Sequence, residues 1–400
     1  AGSVTPWNTH LGSEEYPPDA RLVQEAQTPD DIREYNKPML RYFGITDPFA
    51  VDVTIEQIKE NFNSYLYGFP VEVALDDEGT EKVNKRYAMG RVAVELAYVM
   101  PDNKTAYISD DGTNVGFFMF IADAPGDLTA GTLYGAKWVQ TSQENGGSAD
   151  IEWISLGHAT QAEIKGLIDS RIAFSDIFDT ATPNTDNNCP AGFTSINTNN
   201  DDGVGHECLQ VKTGMEKAAS RLETRRYAAM MGATTEFRKE EGITYDPDHK
   251  KLYVAMSEVV RGMEDLKKNG SDNDTFDRGG PNDIKLPYNT CGCVYGLDVG
   301  TDASVGSDYV VKNMQGVIAG KMATYAADSP YANNTCDVDG IANPDNLTFI
   351  TGKGYLIIGE DTGSGHQNDA IWAYNIDSGE LTRIETTPYG SETTSPYYYP

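Results

Sequence analysis

The chain is poor in positive charge and in histidine, and it has no long apolar run. Lys and Arg number 31 against 61 Asp and Glu, a formal charge of −30 over 400 residues. Nucleic-acid binding needs a basic footprint, so that class of partner is excluded, and adhesion to anionic membrane surfaces with it. No stretch is apolar enough to span a bilayer. Five histidines in all argue against a His-rich zinc site. Neither Gly-x-Ser-x-Gly nor a Walker loop occurs, which argues against an α/β-hydrolase and a P-loop enzyme. The acid excess has two readings. A solvated, salt-tolerant surface accounts for most of it, and hard-cation binding for a minority.

Cysteine is also scarce. The five are Cys189, Cys208, Cys291, Cys293 and Cys336, with no CxxC spacing. In a secreted acidic protein disulfides are the better reading. Cys189 with Cys208 would close the Gly/Asn/Asp-rich loop between them. Cys291 with Cys336 is the second pair expected, because each follows an Asn-Thr turn. Cys293 then sits inside a strand, either buried and inert or paired to another chain. The chain starts at Ala1 and ends on Tyr397-Tyr398-Tyr399-Pro400, which reads as a processed or partial chain. Self-assembly through Cys293 or the tyrosine-rich end is an expectation of the same reading.

What the sequence does have is a strand pattern that ends in acid and recurs. It appears as Tyr107-Ile108-Ser109-Asp110-Asp111, Tyr253-Val254-Ala255-Met256-Ser257-Glu258 and Tyr355-Leu356-Ile357-Ile358-Gly359-Glu360-Asp361. Each is followed by a loop and an aromatic-rich strand. Radial strands of this kind would converge Asp110, Asp111, Glu258, Glu360 and Asp361 on one centre. Gathered carboxylates repel unless a cation sits among them. The expectation is an all-β-dominated β-propeller with a multi-metal oxygen site. An ordinary mixed sheet with acidic turns is the competing reading, since the spacing of the repeat is irregular.

Residues 28–45, 54–65, 160–178 and 212–232 read as helical, and 88–140 and 243–400 as mostly strand and loop. Thr28-Pro29-Asp30-Asp31 is a helix-start signal. No clean linker is visible. Residues 1–400 are therefore expected to form one domain, with insertions at about 20–70, 160–232 and 262–288.

Four clusters carry candidate chemistry. Glu14 and Glu15 adjoin in a segment read as extended, where they point to opposite sides. Glu95 lies in an apolar strand and needs a cation or an arginine. In Glu236-Phe237-Arg238-Lys239-Glu240-Glu241-Gly242, alternation puts Arg238 and Glu240 on one face and Lys239 and Glu241 on the other. Basic groups beside a metal-bound carboxylate suit a phosphate site. Asn343-Pro344-Asp345-Asn346 and the loop from Gly359 to Asp369 are rich in the oxygen donors calcium prefers. A plain turn competes for that loop, and a surface ion pair for the basic strand.

At these clusters the sequence resembles the PhoX-type alkaline phosphatases, from Ser3 to Tyr399. The resemblance is strongest in Thr5–Tyr16, Ala88–Trp138, Leu222–Asp265, Leu286–Leu297 and Asn343–Tyr397. It implies a secreted six-bladed propeller with insertions, hydrolysing phosphate monoesters with iron and calcium held in its central channel. A periplasmic or extracellular location goes with it. Carried over by position, the family's acids match Glu14, Glu15, Glu95, Glu241, Glu360 and Asp361, and its Asn-Pro-Asp-Asn loop matches Asn343–Asn346. The basic residues match Arg238 and Lys239, which with Glu241 become the candidate catalytic set.

Two departures change the expected metal. Ser13 stands where better-described members carry an iron-binding Cys, and a hydroxyl is a far poorer iron ligand than a thiolate. Val94 and Leu96 replace the His and Asn that flank the family's Glu. Several Ca2+ ions are the main expectation, with Fe3+ secondary. The family also has a segment ahead of this one that helps to close its propeller, so an incomplete N-terminal side is expected. A metal-dependent phosphomonoesterase acting on small phosphate esters is the leading reading. A non-catalytic, calcium-binding extracellular propeller with a structural or assembly role is the alternative, and a phosphodiesterase or phosphotriesterase on the same site is a third.

Overall fold

The computed structural model describes residues 1–393 and 395–398. Tyr399 and Pro400, part of the tyrosine-rich end, lie outside the described residues. Strands dominate, and most pair antiparallel with the strand next to them in sequence, giving meanders.

The first sheet joins β1 (Gly2–Val4), β2 (His10–Gly12), β3 (Val71–Leu75) and β4 (Glu81–Lys85) in chain order. The second runs through β5 (Val94–Val99), β6 (Thr105–Asp110), β8 (Phe118–Ala124), β9 (Asp127–Ser142) and β10 (Ser148–Thr160), while the short β7 (Thr113–Val115) leaves this path. β11 (Phe178–Ala181), β12 (Thr194–Thr198) and β13 (Gly205–Val211) form a separate three-stranded sheet, and β14 (Phe237–Arg238) pairs with β7.

The next blade contains β15 (Glu240–Asp246) and β16 (Lys251–Met256), a small hairpin of β17 (Lys267–Lys268) and β18 (Ser271–Asp272), then β19 (Cys293–Asp302), β20 (Ser307–Val311) and β21 (Asn313–Ala319). β21 pairs with β10, so this blade and the previous one share a continuous sheet. The last blade is β22 (Pro344–Ile350), β23 (Tyr355–Glu360), β24 (Ala370–Asn375) and β25 (Leu381–Thr386). The three acid-ended runs of the sequence are the second strands β6, β16 and β23. Each pairs with the aromatic-rich strand that follows it, β8, β19 and β24.

Blade faces pack on one another, as the two-residue period dictates. In β16, Leu252 enters a core with Tyr107, Phe117, Trp138 and Tyr295, while its neighbour Tyr253 enters another with Val294, Leu347, Ile358 and Trp372. The architecture is propeller-like, and among the inner strands β15 lies against both β5 and β22.

Helices decorate this scaffold. α1 (Ala20–Glu25) and α2 (Ile55–Asn61) flank an irregular stretch. α2 begins at Thr54, whose side chain accepts from Gln57 N while Gln57 returns the bond, a capping box. The helix expected over 28–45 is instead two 3-10 segments, Pro29–Asp31 and Glu34–Phe43. Pro38 lies inside the second and cannot donate to an α-helical ladder. The helices expected over 160–178 and 212–232 are present as α3 (Gln161–Asp169), α4 (Phe174–Ile177), α5 (Glu216–Leu222) and α6 (Thr224–Met231). Buried Arg226 of α6 ties three elements together, pairing with Asp19, Glu207 and Glu223 at 2.7–2.9 Å.

Both expected disulfides are present, Cys189–Cys208 and Cys291–Cys336, and Cys293 is a buried free thiol.

Candidate metal centre

One irregularity occurs at the same place in three blades. Val94 opposes Asp110 and Ala97 opposes Ile108, so β5 carries one residue more than β6 across that interval. Glu240 opposes Met256 and Ile243 opposes Val254 in the next blade. Pro344 opposes Glu360 and Leu347 opposes Ile358 in the last. Each is a one-residue β-bulge, which bends a strand and re-aims its side chains. The first bulged residue is Glu95, Glu241 or Asp345. One carboxylate oxygen from each comes within 4.8 Å of the others. All three residues are buried.

The spacing repeats too. Asp111, Ser257 and Asp361 follow Glu95, Glu241 and Asp345 by the same interval, each just beyond or after its blade's second strand. Asp361 joins Asp345 and Glu392 in a second oxygen cluster. In the middle blade the acid is replaced by Ser257, whose hydroxyl donates to Glu241 Oε1 at 3.1 Å.

The electrostatics are those of a site short of positive charge. Burial and Asp111 hold the Glu241 carboxyl well above the usual range, against the lowering pull of Lys239. Asp345 is pushed up to about 8 by burial, then by Glu95 and Asp361. Glu15, at the edge of the cluster, is pushed up to about 9 by burial, Glu95 and Asp111. Asp111 Oδ2 accepts from the Tyr16 hydroxyl, but its Oδ1 is buried with no hydrogen-bond partner. Converging carboxylates with an orphaned oxygen suit a hard cation.

The basic residues lie beside this cluster. Lys239 Nζ is 3.0 Å from Glu241 Oε1 and 3.8 Å from Asp111 Oδ1. Arg238 Nε donates to Glu258 at 2.9 Å, and its Nη1 donates to Thr113 Oγ1 at 2.9 Å. Alternation had placed these two residues on opposite faces. Lys239 has φ +48°, which interrupts the strand between β14 and β15 and lets both side chains line one cavity. That strained backbone is pinned on both sides, by Lys239 N to Gly112 O and Ser257 N to Lys239 O. The cavity holds about 570 Å³, and Asp111, Arg225 and Tyr16 also border it.

Four residues expected at the centre have other partners. Glu14 accepts from Gly68 N and Phe69 N and pairs with Lys85 at 2.6 Å. Asp110 is buried against Arg225 and also accepts from Ala93 N at 3.0 Å. Glu258 serves Arg238. Glu360 accepts from Ala342 N, Ala370 N, His366 Nδ1 and Trp372 Nε1 at 2.7–2.9 Å. The physical reason is common to the last three. They belong to second strands or the turns after them, one layer out from the bulged inner strands. Ser13, the residue in the family's Cys position, donates its hydroxyl to the Ala1 carbonyl at 2.7 Å. Among the described residues the remaining thiol, Cys293, is in the blade core and points its Sγ toward Asn145 O.

Residues that the sequence reading did not single out are Tyr16, Ser257, Arg225 and Glu392. For Ser257 and the bulged acids the equal spacing in three blades was a usable signal. For Arg225 and Glu392, which arrive from other elements, none was.

The profile for Alkaline phosphatase PhoX matches residues 1–400. The chain belongs to the PhoX alkaline phosphatase family. A solved structure of Pseudomonas fluorescens PhoX in complex with vanadate, a transition state analogue, superposes with a TM-score of 0.56 at 18% identity, covering 98% of this chain and 61% of that one. The chain thus spans about three fifths of the Pseudomonas protein's length. At that identity the likeness shows the fold, and it accords with the propeller-like arrangement. A putative 6-phosphogluconolactonase from Bacteroides uniformis aligns at 12% identity over 79% of this chain and 64% of its own, but with a TM-score of 0.26 it carries no argument. No curated protein matches the chain.

Proposed function

We propose that this chain is a metal-dependent phosphomonoesterase, secreted or periplasmic, whose cations are held by the inner-strand acids. One observation carries the reading. A buried three-blade carboxylate cluster is joined, through Lys239 at 3.0 Å from Glu241, to a cavity bordered by Arg238, Lys239, Arg225 and Asp111. Membership of the PhoX family and the vanadate bound to the Pseudomonas protein support it. Two disulfides favour an oxidising compartment, and no helix is long and apolar enough to cross a membrane.

Glu95, Glu241 and Asp345 would hold metal, with Asp111, Asp361, Glu392 and Glu15 available around them. Their all-oxygen chemistry fits calcium. It does not fit iron bound through thiolate, because Ser13 offers a hydroxyl. When bound, such cations polarise a phosphoryl oxygen and lower the pKa of coordinated water.

The chain's own side chains do the rest. Arg238 and Lys239 meet the non-bridging oxygens of the phosphate and offset charge that builds in the transition state. Lys239 stays protonated, its pKa raised by Glu241 and Asp111 in spite of burial. Tyr16 holds Asp111 Oδ2, leaving Oδ1 directed to the site. Ser257 orients Glu241 through its hydroxyl.

The test is elemental analysis of the purified protein together with p-nitrophenyl phosphate turnover, with and without a chelator. Bound calcium and chelator-sensitive turnover are expected. Calcium without turnover would replace this reading with a non-catalytic, calcium-stabilised propeller.

A further inference from the structure

Two of the cysteines meet a histidine on the three-stranded sheet of β11, β12 and β13. His206 and Cys208 alternate with Glu207 along β13, so both point to one face of the strand, while Glu207 turns to the other and pairs with Arg226. Ser195 of β12 lies opposite Cys208, and Cys189 arrives from the loop ahead of β12. One ligand atom from each of Cys189, His206 and Cys208 comes within 4.8 Å of the others. His206 Nε2 is 3.9 Å from Cys189 Sγ. Zinc–nitrogen and zinc–sulfur bonds at tetrahedral angles require about 3.6 Å between such atoms. The ring is held in this position. Ser195 Oγ lies 2.8 Å from Nε2, and a methyl group at Gly279 would fall 2.1 Å from the ring, so the backbone there closes one side.

The two disulfides are not equivalent. Cys291 and Cys336 are both fully buried and pack with Ala342 in an apolar cluster. Cys189 is half-buried, so a reductant in solution can reach its sulfur. The segment that Cys189–Cys208 closes also reaches the cavity beside the carboxylate cluster. Asn199 Oδ1 accepts from Arg225 Nη1 at 2.9 Å, and Asp201 Oδ1 accepts from Thr113 Oγ1 at 2.8 Å. Both Arg225 and Asp201 line that cavity. A cross-link between Cys189 and Cys208 therefore braces one of its walls.

We propose that Cys189, Cys208 and His206 form a second metal site, for a thiophilic divalent cation of the zinc class, which opens when the Cys189–Cys208 disulfide is reduced. A dithiol reductant supplies the two electrons. Its own sulfurs become a disulfide as the protein's S–S bond breaks, and its two protons pass to Cys189 and Cys208. Both thiols release those protons when the cation binds. Two thiolates and one imidazole suit zinc, whereas calcium takes oxygen ligands, so this site and the carboxylate cluster select different ions. The fourth position is open to water or to the Ser195 hydroxyl. The bound cation takes over the cross-link that reduction removes. None of this depends on the phosphoesterase reading.

The experiment uses the full chain saturated with calcium, reduced mildly by a water-soluble phosphine, freed of reductant and titrated with Zn2+ or Co2+. Alkylation should label Cys189 and Cys208 and leave Cys291 and Cys336 unlabelled. The reduced protein should take up about one equivalent of Zn2+ more than the oxidised protein. Its Co2+ form should show the thiolate-to-metal charge-transfer band that oxygen ligands do not produce. His206→Ala should weaken Co2+ binding by at least about tenfold, since loss of even an outer-shell partner costs that much. Equal Zn2+ uptake before and after reduction, or no charge-transfer band, would overturn the proposal. So would a Co2+ affinity that His206→Ala leaves unchanged, or a reduced protein that unfolds and is not restored by Zn2+.

Discussion

Lys239 Nζ stands 3.0 Å from Glu241 Oε1, on a carboxylate that sits among other buried acids. The two residues flank Glu240 in sequence, yet they reach one site because Lys239 takes a left-handed backbone conformation. Removing either partner should therefore have unlike effects. Glu241→Gln keeps the shape but removes the shared carboxylate, and it should abolish metal-dependent hydrolysis of p-nitrophenyl phosphate while lowering bound calcium. Lys239→Met should keep calcium and lose about 100-fold in kcat, the scale of one lost charge-stabilising donor. Full activity in Glu241→Gln would show that the carboxylate cluster is not the site.

A second expectation concerns pH and metal together. Asp345 and Glu15 are raised to about 8 and about 9. A carboxyl raised on folding binds its proton more tightly in the native state than in the unfolded chain. Its contribution to stability is complete below the unfolded pKa, near 4, and is lost as pH rises through the native value. Chelated protein should thus lose melting temperature steadily from pH 6 to pH 9. Asp277 and Asp369, each raised to about 7, add a slope of the same sign outside the three-blade cluster. Calcium favours the ionised ligands, so the calcium-induced increase in melting temperature should grow over this range. A calcium effect that shrinks with pH would contradict the assignment.

The blade repeat was legible in the sequence because each second strand is an apolar run with a polar end. β6, β16 and β23 are those runs. The layer was misread, however. Acids at the ends of second strands look central when strands are read as spokes, and Asp110, Glu258 and Glu360 turned out to serve Arg225, Arg238 and a backbone-and-indole network. The inner acids reach the centre through bulges, and a bulge depends on the register with a partner strand. Glu95 looked like an isolated buried acid for the same reason. Period-two alternation also failed at Lys239, where a positive φ breaks the strand. Cys189–Cys208 was legible because the pair brackets a turn-rich loop, and Cys291–Cys336 because each cysteine follows an Asn-Thr turn, although β19, β20 and β21 lie between them.

The thiol chemistry gives a third expectation. Cys293 is fully buried, and burial pushes its thiol up. A thiol reagent should detect no cysteine in the native protein and one after unfolding without reductant. Replacing Cys291 and Cys336 together by Ala should destabilise by about 4 kcal/mol, and Cys189 with Cys208 by about 3 kcal/mol, since the closed loops differ in length and the chain-entropy term grows with loop size. Denaturant melts of the two double variants give the order. A larger loss for the shorter loop would mean that native contacts around Cys189, and not loop closure, set the effect.

Glu360 separates a ligand from a structural acid. Its Oε1 accepts from Ala342 N at 2.8 Å and from Trp372 Nε1 at 2.7 Å. Its Oε2 accepts from His366 Nδ1 and Ala370 N, both at 2.9 Å. All four bonds point donors at the carboxylate, and the neighbouring acid raises the His366 pKa against the effect of burial. A glutamine in its place keeps one acceptor oxygen but turns an amide N–H₂ toward two donors. The expected cost is about 3–5 kcal/mol, as for a buried pair that loses one partner. It should appear as a lower melting temperature and denaturant midpoint. Bound calcium per folded molecule should not change, and kcat at a temperature where the variant is folded should stay within about twofold. For Asp361→Asn, one residue on, the pattern should invert, with weaker calcium binding and a small change in metal-free stability. Asp361 shares its cluster with Asp345 and Glu392, and among the described residues it has no set of donors like that around Glu360. Equal calcium loss in the two variants would return Glu360 to the ligand set.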